Sequence, residues 1–275
     1  LEELGLSADN LKVVREMIEK PYGLILITGP TGSGKTTTLY AMLKEFDREA
    51  NNVVSLEDPI EYNIEGVNQS QVRPEIGYDF ANGLRTILRQ DPDIIMVGEI
   101  RDKETAAMAI HAALTGHLVL STLHTNNAAG VVPRLVDMGV DPYLIAPTLL
   151  MVIGQRLVRR LCLDSRKEKI LEGAFKEITQ NELKNIPDEA RKKITSFDKI
   201  YEGVSSPACP MGSKGRMGIF EVMRRTPDLE RIILTKPSEQ DILKEARNQG
   251  MTTIREDGLI KMLNGFISFD EFIKL

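Results

Sequence analysis

The chain has 275 residues, of which 42% are hydrophobic, enough for one large domain or for one domain with a smaller companion. Its net charge of −5 and an isoelectric point near 5.5 give no basic character that would draw it to nucleic acid or to an anionic membrane. Aromatic residues make up only 5% and Trp is absent, which argues against a protein that stacks on single-stranded bases.

Three further features bear on the cellular setting. The longest apolar stretch, 144–154, is too short to span a bilayer and no signal peptide is recognisable, so we expect a soluble cytoplasmic domain. The only two cysteines, Cys162 and Cys209, imply no disulfide framework and indicate a reducing compartment. Because the first residue is Leu1 and not Met, we expect a piece of a longer chain.

The first half of the chain alternates strand and helix patterns. Residues 1–20 predict an amphipathic helix that ends at Pro21. Apolar runs predict buried strands at 24–28, 53–56, 94–97 and 118–122, with helices at 79–90 and 103–114 between them. This alternation predicts an α/β fold with a mostly parallel sheet, whose ligand binds beyond the carboxyl ends of the strands.

Beyond residue 126 the pattern becomes mainly helical. Helices are predicted at 126–138 and 144–161, and the charged stretch 164–203 predicts a solvated helical insertion or a mobile excursion. Further helices are predicted at 238–248, 253–263 and 268–274, with Ser238 and Ser268 as N-caps. The carboxyl-terminal part is therefore predicted to form a second, helical lobe.

A complete phosphate loop, G-x-x-x-x-G-K-[ST], lies between the first strand and a helix-forming stretch. It consists of Gly29, Pro30, Thr31, Gly32, Ser33, Gly34, Lys35 and Thr36, and we assign the following Thr37 to the same site. The glycines let backbone N–H groups turn inward around phosphate oxygens, Lys35 would reach the terminal phosphates, and the Thr36 hydroxyl would hold Mg²⁺. A glycine-rich turn that binds nothing is disfavoured by the flanking strand and helix, so we predict nucleoside triphosphate binding.

Carboxylates follow two of the predicted strands. Glu57, Asp58 and Glu61 come after the second strand and would polarise the attacking water and support Mg²⁺; the alternative is a solvated turn before Pro59. Glu99 follows the third strand, where phosphate-loop nucleotidases place a carboxylate that holds Mg²⁺ directly or through water.

Histidines and arginines supply further candidates. His117 and His124 flank the fourth strand and would sense the γ-phosphate, whereas a zinc site there is disfavoured because no third ligand accompanies them. Arg85 and Arg89 lie four residues apart on one helix edge, either as solvated residues with an acidic partner or as an arginine finger in the same or a neighbouring subunit. Arg101 would pair with a local carboxylate or touch a nucleotide phosphate.

These motifs together resemble those of a known family. Residues 29–40 resemble its Walker A box, 57–61 its aspartate box, 98–102 its Walker B box and 116–126 its histidine box, and 84–93 matches as well. In this order they resemble the type II secretion and type IV pilus assembly ATPases, the GspE/PilB-like branch of the secretion superfamily. The segments 215–221 and 250–254 resemble the assembly branch more than the pilus-retraction branch.

The resemblance implies a RecA-like core in a homo-hexameric ring that hydrolyses ATP with Mg²⁺. Such a ring powers pilus or pseudopilus assembly, or protein secretion, from the cytoplasmic face of the membrane, where a platform protein is its partner. Carried over to this sequence, Lys35 and Thr36 bind phosphates and metal, Glu57 orients water, and Glu99 supports the metal through water. His124 or His117 reads the γ-phosphate, and Arg85, Arg89 and Arg101 resemble arginines near the nucleotide or the subunit interface.

The sequence departs from the family in its cysteines. Relatives commonly carry a four-cysteine zinc module, but here Ser165 and Gly212 stand where the second thiolate of each pair should be. Two thiolates do not complete a tetrahedral site, so we expect no structural zinc. We predict a RecA-like core over 1–160, a charged insertion over 161–215 in place of that module, and a helical lobe over 216–275.

Two other functions are compatible with part of this pattern. A ring ATPase for conjugation or type IV secretion shares the core, but the carboxyl-terminal segments disfavour it. A regulator that binds nucleotide without turnover is disfavoured by the intact Glu57 and Glu99. No nucleic acid is expected among the partners.

Overall fold

The computed structural model describes residues 1–184, 186–235 and 237–275. Its strands are β1 (Gly23–Thr28), β2 (Val53–Glu57), β3 (Asn68–Gln71), β4 (Ile94–Val97), β5 (Leu118–Leu123), β6 (Leu149–Leu161), β7 (Arg166–Ile170), β8 (Lys199–Gly203) and β9 (Ser213–Arg224). Its helices are α1 (Ala8–Ile18), α2 (Lys35–Leu43), α3 (Phe80–Ile87), α4 (Lys103–Leu114), α5 (Val131–Asp137), α6 (Pro142–Thr148), α7 (Gly173–Leu183), α8 (Asp188–Arg191), α9 (Pro227–Leu234), α10 (Glu239–Asn248), α11 (Ile254–Leu263) and α12 (Phe269–Ile273).

The described residues form a seven-stranded sheet in the order β3-β2-β4-β5-β1-β6-β9. Every neighbouring pair is parallel except β6 and β9, which run antiparallel. The carboxyl ends of β2, β4, β5 and β1 therefore meet at one edge, where a ligand is expected in such sheets. The predicted α/β class with a mostly parallel sheet is confirmed.

Helices cover both faces of this sheet because its central strands are apolar on both sides. In β1, Leu24 and Leu26 pack with α3, α4 and α6, whereas Ile25 and Ile27 face α1 and α2. A third apolar cluster joins α7, α8, α11 and α12 beside the outer ends of β6 and β9. The sheet is thus a rigid frame on which the loops at its carboxyl edge are fixed.

The prediction of a helix at 144–161 is wrong beyond its first turn. Helix α6 ends at Thr148, and the chain continues as the long strand β6. The first seven residues of β6 are buried, so its apolar run has no strand alternation that the sequence could display. Strand β9 also crosses the predicted boundary at 215/216, and the three-part division remains a prediction.

The charged stretch is not simply helical. Strands β7 and β8 form a two-stranded sheet that encloses α7 and α8 along the chain. The two cysteines implied no disulfide framework from the sequence, but Cys162 and Cys209 are bonded in this structure and close that excursion at its base. The two cysteines meet because β6 and β9 pair as far as Leu161 and Ser213, and Cys162 N–H then donates to the Gly212 carbonyl at 3.1 Å.

Neither a membrane-spanning helix nor a metal-binding cluster is found in the part of the chain that the structure describes. None of its helices has the length and apolar character needed to cross a bilayer. Likewise, these residues contain no group of three or more His, Cys, Asp or Glu side chains arranged to hold a metal ion.

Candidate active site

The phosphate loop leaves the carboxyl end of β1 and enters α2 at Lys35. Gly29, Gly32 and Gly34 adopt positive φ angles of 150°, 77° and 86°, which side-chain-bearing residues rarely reach. A Cβ at Gly29 would lie 2.3 Å from the Gln155 carbonyl oxygen, so this position has room only for glycine. The predicted strand–loop–helix arrangement is therefore what the chain forms, with the amino terminus of α2 at the loop.

Lys35 lies folded into the loop. Its Nζ donates to the carbonyl oxygens of Gly29 at 2.9 Å and Pro30 at 3.1 Å. Burial lowers the pKa of Lys35, and the nearby Glu99 carboxylate opposes that shift. The buried Ser33 hydroxyl has no hydrogen-bond partner among the described residues. An ammonium group and a hydroxyl with unused capacity thus lie within one glycine-rich loop.

A cavity of about 590 Å³ opens beside the loop at the carboxyl edge of the sheet. It brings together predicted site residues from separate strands: Thr31, Gly32, Gly34, Lys35, Thr36, Thr37, Glu57, Asp58, Glu61, Glu99, Arg101 and His124. Its volume falls in the usual range of about 300–1,000 Å³ for small-molecule sites. The three carboxylates after β2 face the phosphate loop, as the strand order predicts.

Glu99 lies among the cationic side chains of this cavity. It forms an ion pair with Arg101, and its Oε2 lies 3.5 Å from His124 Nε2. The pairing raises the pKa of Arg101, chiefly through the hydrogen bond to Glu99 and with a smaller contribution from Asp58, whose Oδ2 lies 4.0 Å from Arg101 Nη1. Arg101 therefore pairs with local carboxylates in this structure, one of the two alternatives predicted for it.

Glu57 has different surroundings. Its side chain accepts hydrogen bonds from the hydroxyls of Tyr40 and Ser55 and from Gln69 Nε2. Burial and the hydrogen bond to Glu57 both raise the pKa of Tyr40, which keeps this phenol protonated as a donor. A carboxylate has about four acceptor positions, so these three donors leave about one position free.

Two threonines form hydrogen bonds between the loops that follow the strands at this edge of the sheet. Thr28 Oγ1, at the end of β1, accepts from Thr125 N–H at 2.8 Å and lies 2.8 Å from Thr125 Oγ1. Thr122 Oγ1, on β5, donates to the Gly98 carbonyl at 2.8 Å. The phosphate loop, the His124 loop and the Glu99 turn are thereby held in a fixed arrangement.

His117 does not belong to this site, contrary to prediction. It precedes β5 at the opposite edge of the sheet, and its Nδ1 lies 2.9 Å from the Ala112 carbonyl at the end of α4. The six residues of β5 separate it from His124, so the two histidines lie roughly 20 Å apart along the strand. Because a strand carries its two ends to opposite edges of the sheet, of these two histidines only His124 lines the cavity.

Arg85 and Arg89 are also outside the cavity lining that the described residues provide. Arg85 forms an exposed ion pair with Glu104 on α4, and its Nη1 donates to Asn82 Oδ1 at 2.8 Å. Arg89 is exposed in a 3₁₀ turn that follows α3. In this structure Arg85 therefore matches the alternative of a solvated arginine with an acidic partner.

Several cavity residues were missed by sequence reasoning. Leu157 on β6 and Arg216 on β9 line the side of the cavity beyond the phosphate loop. These two residues reach the cavity because β6 lies next to β1 and β9 lies next to β6. The prediction of a helix at 144–161 could not suggest that arrangement. Tyr40 and Gln69 were missed because they act by donating hydrogen bonds to Glu57. No local sequence pattern marks a residue that positions a carboxylate in this way.

The donor set fits a nucleoside triphosphate and Mg²⁺. Phosphates suit the glycine-rich loop, the amino terminus of α2 and Lys35, since backbone N–H groups and a cation converge there. The exposed Thr36 hydroxyl and the Glu99 carboxylate are oxygen ligands of the kind Mg²⁺ prefers. Thr36 and Glu99 both line the same cavity.

The family model described as "Type II/IV secretion system protein" matches residues 1–274. The chain belongs to this family. It is 45% identical over 276 residues to a type II secretion system ATPase E of Vibrio cholerae, covering 100% of this chain and 52% of that protein. It is 44% identical over 273 residues to the type IV pilus assembly ATPase PilB of Pseudomonas aeruginosa, covering 98% of this chain and 46% of that protein.

Solved structures agree with the fold. A structure of the pilus retraction motor PilT with bound ADP has a TM-score of 0.70 and 28% identity, covering 99% of this chain and 65% of that one. The Legionella pneumophila ATPase DotB has a TM-score of 0.69 and 26% identity, covering 100% and 64%.

The predicted family resemblance and the RecA-like fold are therefore confirmed, and the relatives are named as ATPases. The chain spans about half the length of the curated relatives it matches.

Proposed function

We propose that this chain is the motor part of a Mg²⁺-dependent ATPase that powers pilus or pseudopilus assembly, or protein secretion, across the bacterial envelope. It works as a homo-hexamer at the cytoplasmic face of the membrane, where it is a peripheral component that docks on a platform protein. The observation that carries this proposal is the single cavity in which Lys35, Glu57 and Glu99 meet beside the phosphate loop. The family membership and the ADP-bound PilT neighbour support nucleotide as the ligand.

Each site residue has a role that its surroundings support. The loop amides and Lys35 bind the phosphates, and the loop carbonyls that now hold Lys35 Nζ keep it next to them. Thr36 and, through water, Glu99 hold the metal, which neutralises charge on the phosphates when bound. Glu57 orients the attacking water with its remaining acceptor position, and His124 reads the γ-phosphate from beside Glu99.

Replacement of Lys35 tests whether this site binds nucleotide. Lys35→Ala should weaken the affinity for ADP and Mg²⁺ about a hundredfold in calorimetry, because charge-assisted bonds to the phosphates are lost. Glu99→Gln should keep the affinity but slow ATP hydrolysis, because the metal loses its carboxylate.

Lys20→Ala is the matched control, since Lys20 is exposed near the opposite edge of the sheet. It should bind nucleotide like the wild type. Full ADP affinity in the Lys35→Ala protein, or unchanged turnover after Glu99→Gln, would refute the role of that residue.

A further inference from the structure

A buried amide behind the phosphate loop joins three parts of the chain. Gln155 lies on β6 and is 3% exposed. Its Nε2 donates to the Ser33 carbonyl at 2.8 Å, and its Oε1 accepts from Thr38 Oγ1 at 2.8 Å. One side chain on the neighbouring strand thus connects the loop with the first turn of α2.

The chemistry of this contact suits an amide. The Ser33 carbonyl needs a donor and the Thr38 hydroxyl needs an acceptor, and the planar amide of Gln155 presents both on one rigid group. A carboxylate of the same length would serve Thr38 but would place an acceptor against the Ser33 carbonyl. Thr38 itself is fully buried, so neither group has water as an alternative partner.

Gln155 also packs closely against two glycines of the phosphate loop. A Cβ at Gly29 would lie 2.3 Å from the Gln155 carbonyl oxygen, and a Cβ at Gly34 would lie 3.0 Å from its Nε2. Gln155 therefore contacts the loop near both of its ends as well as at Ser33. The contact at Gly29 is made by the Gln155 backbone, whereas the contacts at Ser33 and Gly34 are made by its side chain, so loss of the side chain removes support from the second half of the loop.

We propose that Gln155 and Thr38 are positioning residues that hold the phosphate loop in its nucleotide-binding conformation, an inference that rests on the proposed function. Neither is among the described residues that line the cavity, so both act through the loop and not on the nucleotide. Strand β6 is fixed between β1 and β9, which gives the amide a rigid base. The loop amides are thus aimed at the phosphates before nucleotide binds.

The test removes the hydrogen bond between Thr38 and Gln155 by replacing either of the two residues. Thr38→Val replaces the hydroxyl by a methyl of similar size, and Gln155→Met removes both polar atoms at similar length. We expect each to weaken ADP binding about tenfold in calorimetry, because a misplaced loop makes poorer phosphate contacts. KM for ATP should rise by a similar factor, with less change in kcat, since phosphate binding is shared by ground and transition states. Thr38→Ser keeps the hydroxyl and should stay within about threefold of wild-type affinity.

Thr148→Val is the matched control for loss of a buried hydroxyl. Thr148 is 2% exposed and donates to the Leu144 carbonyl at 2.7 Å, away from the phosphate loop. It should lower the melting temperature as Thr38→Val does while leaving ADP affinity unchanged. Gln155→Met keeps the test available should Thr38→Val fail to fold, because it removes the same hydrogen bond from the other side and adds no charge.

Three outcomes are distinguishable. Weaker ADP binding in Thr38→Val and Gln155→Met, with rescue by Thr38→Ser, supports the positioning role. Wild-type ADP affinity and KM in folded Thr38→Val or Gln155→Met protein would show that these bonds serve stability alone and would overturn the inference. Absence of ADP binding in the wild-type chain would overturn the proposed function itself, and this inference with it.

Discussion

Glu57 and Glu99 end neighbouring strands, yet the structure surrounds them differently. Glu57 is 2% exposed and has three neutral donors, whereas the Glu99 side chain is 15% exposed and faces cationic groups. A buried acceptor with several donors contributes to stability as well as to chemistry, because its loss leaves those donors unpaired. A partly exposed carboxylate beside cations contributes mainly to the electrostatics of the site.

Glutamine replacements separate these two roles. Glu57→Gln should lower the free energy of unfolding by about 1–3 kcal/mol. The new amide N–H would face groups that donate hydrogen bonds to Glu57, and at least one of those donors would lose its acceptor. The substitution should also slow hydrolysis while sparing ADP binding. Glu99→Gln should slow hydrolysis with a change in unfolding free energy below about 1 kcal/mol.

Urea denaturation and a single-turnover ATPase assay measure the two effects. Glu61→Gln, on the exposed rim of the same cavity, is the control that should leave the stability unchanged. Equal stability of the Glu57→Gln protein and the wild type would contradict the described environment of Glu57.

At the scale of elements, α11 covers the open edge of the main sheet. Strand β9 is the last strand, so half of its backbone groups have no neighbouring strand. Asp257 on α11 accepts from Phe220 N–H at 2.8 Å, and Lys261 Nζ donates to the Gly218 carbonyl at 2.8 Å. The two side chains also form a buried ion pair with each other, which links the carboxyl-terminal helices to the sheet.

Removal of the lysine should therefore loosen this connection. Lys261→Met should lower the free energy of unfolding by about 3–5 kcal/mol, because it leaves the buried Asp257 without its cation. Lys192→Met is the matched control: Lys192 and its partner Glu189 are 68% and 82% exposed, and such a pair contributes less than about 1 kcal/mol. Chemical denaturation followed by circular dichroism compares the two. Similar losses in both variants would show that α11 is not held by this pair.

At the scale of the whole molecule, the position of the arginines is informative. Arg85 and Arg89 lie on an exposed edge outside the cavity of their own chain. Arginines so placed are available to a neighbouring subunit, where a guanidinium would stabilise charge on the transferred phosphate. Because Arg85 is paired with Glu104, Arg89 is the arginine that we propose to act across a subunit interface of the ring.

Light scattering tests the ring directly. With a non-hydrolysable ATP analogue and Mg²⁺, we expect a mass near six times the 30.7 kDa of one chain. Arg89→Ala should reduce ATP turnover more than ADP affinity, because its contact is made across the interface. Arg231→Ala, an exposed arginine paired with Asp228 on α9, is the control and should leave both unchanged. A monomer with the analogue bound would show that this part of the protein does not suffice for assembly.

Local sequence determined the catalytic edge of the sheet. The phosphate loop, the apolar runs of β1, β2, β4 and β5, and the carboxylates that follow two of them are each readable within a few residues. Parallel strands then bring those carboxyl ends together without further information. For this reason Lys35, Glu57, Glu99 and His124 could be expected to lie close together, and they line one cavity; their roles remain predictions.

Only the tertiary structure decided what lies around that edge. Strand β6 is buried along most of its length, so its apolar run carries no period that separates strand from helix. Without β6 beside β1, nothing places Gln155 behind the phosphate loop or Leu157 along the cavity. The same holds for the Cys162–Cys209 bond and for the position of His117, because both depend on which chain segments meet and not on which residues are near in sequence.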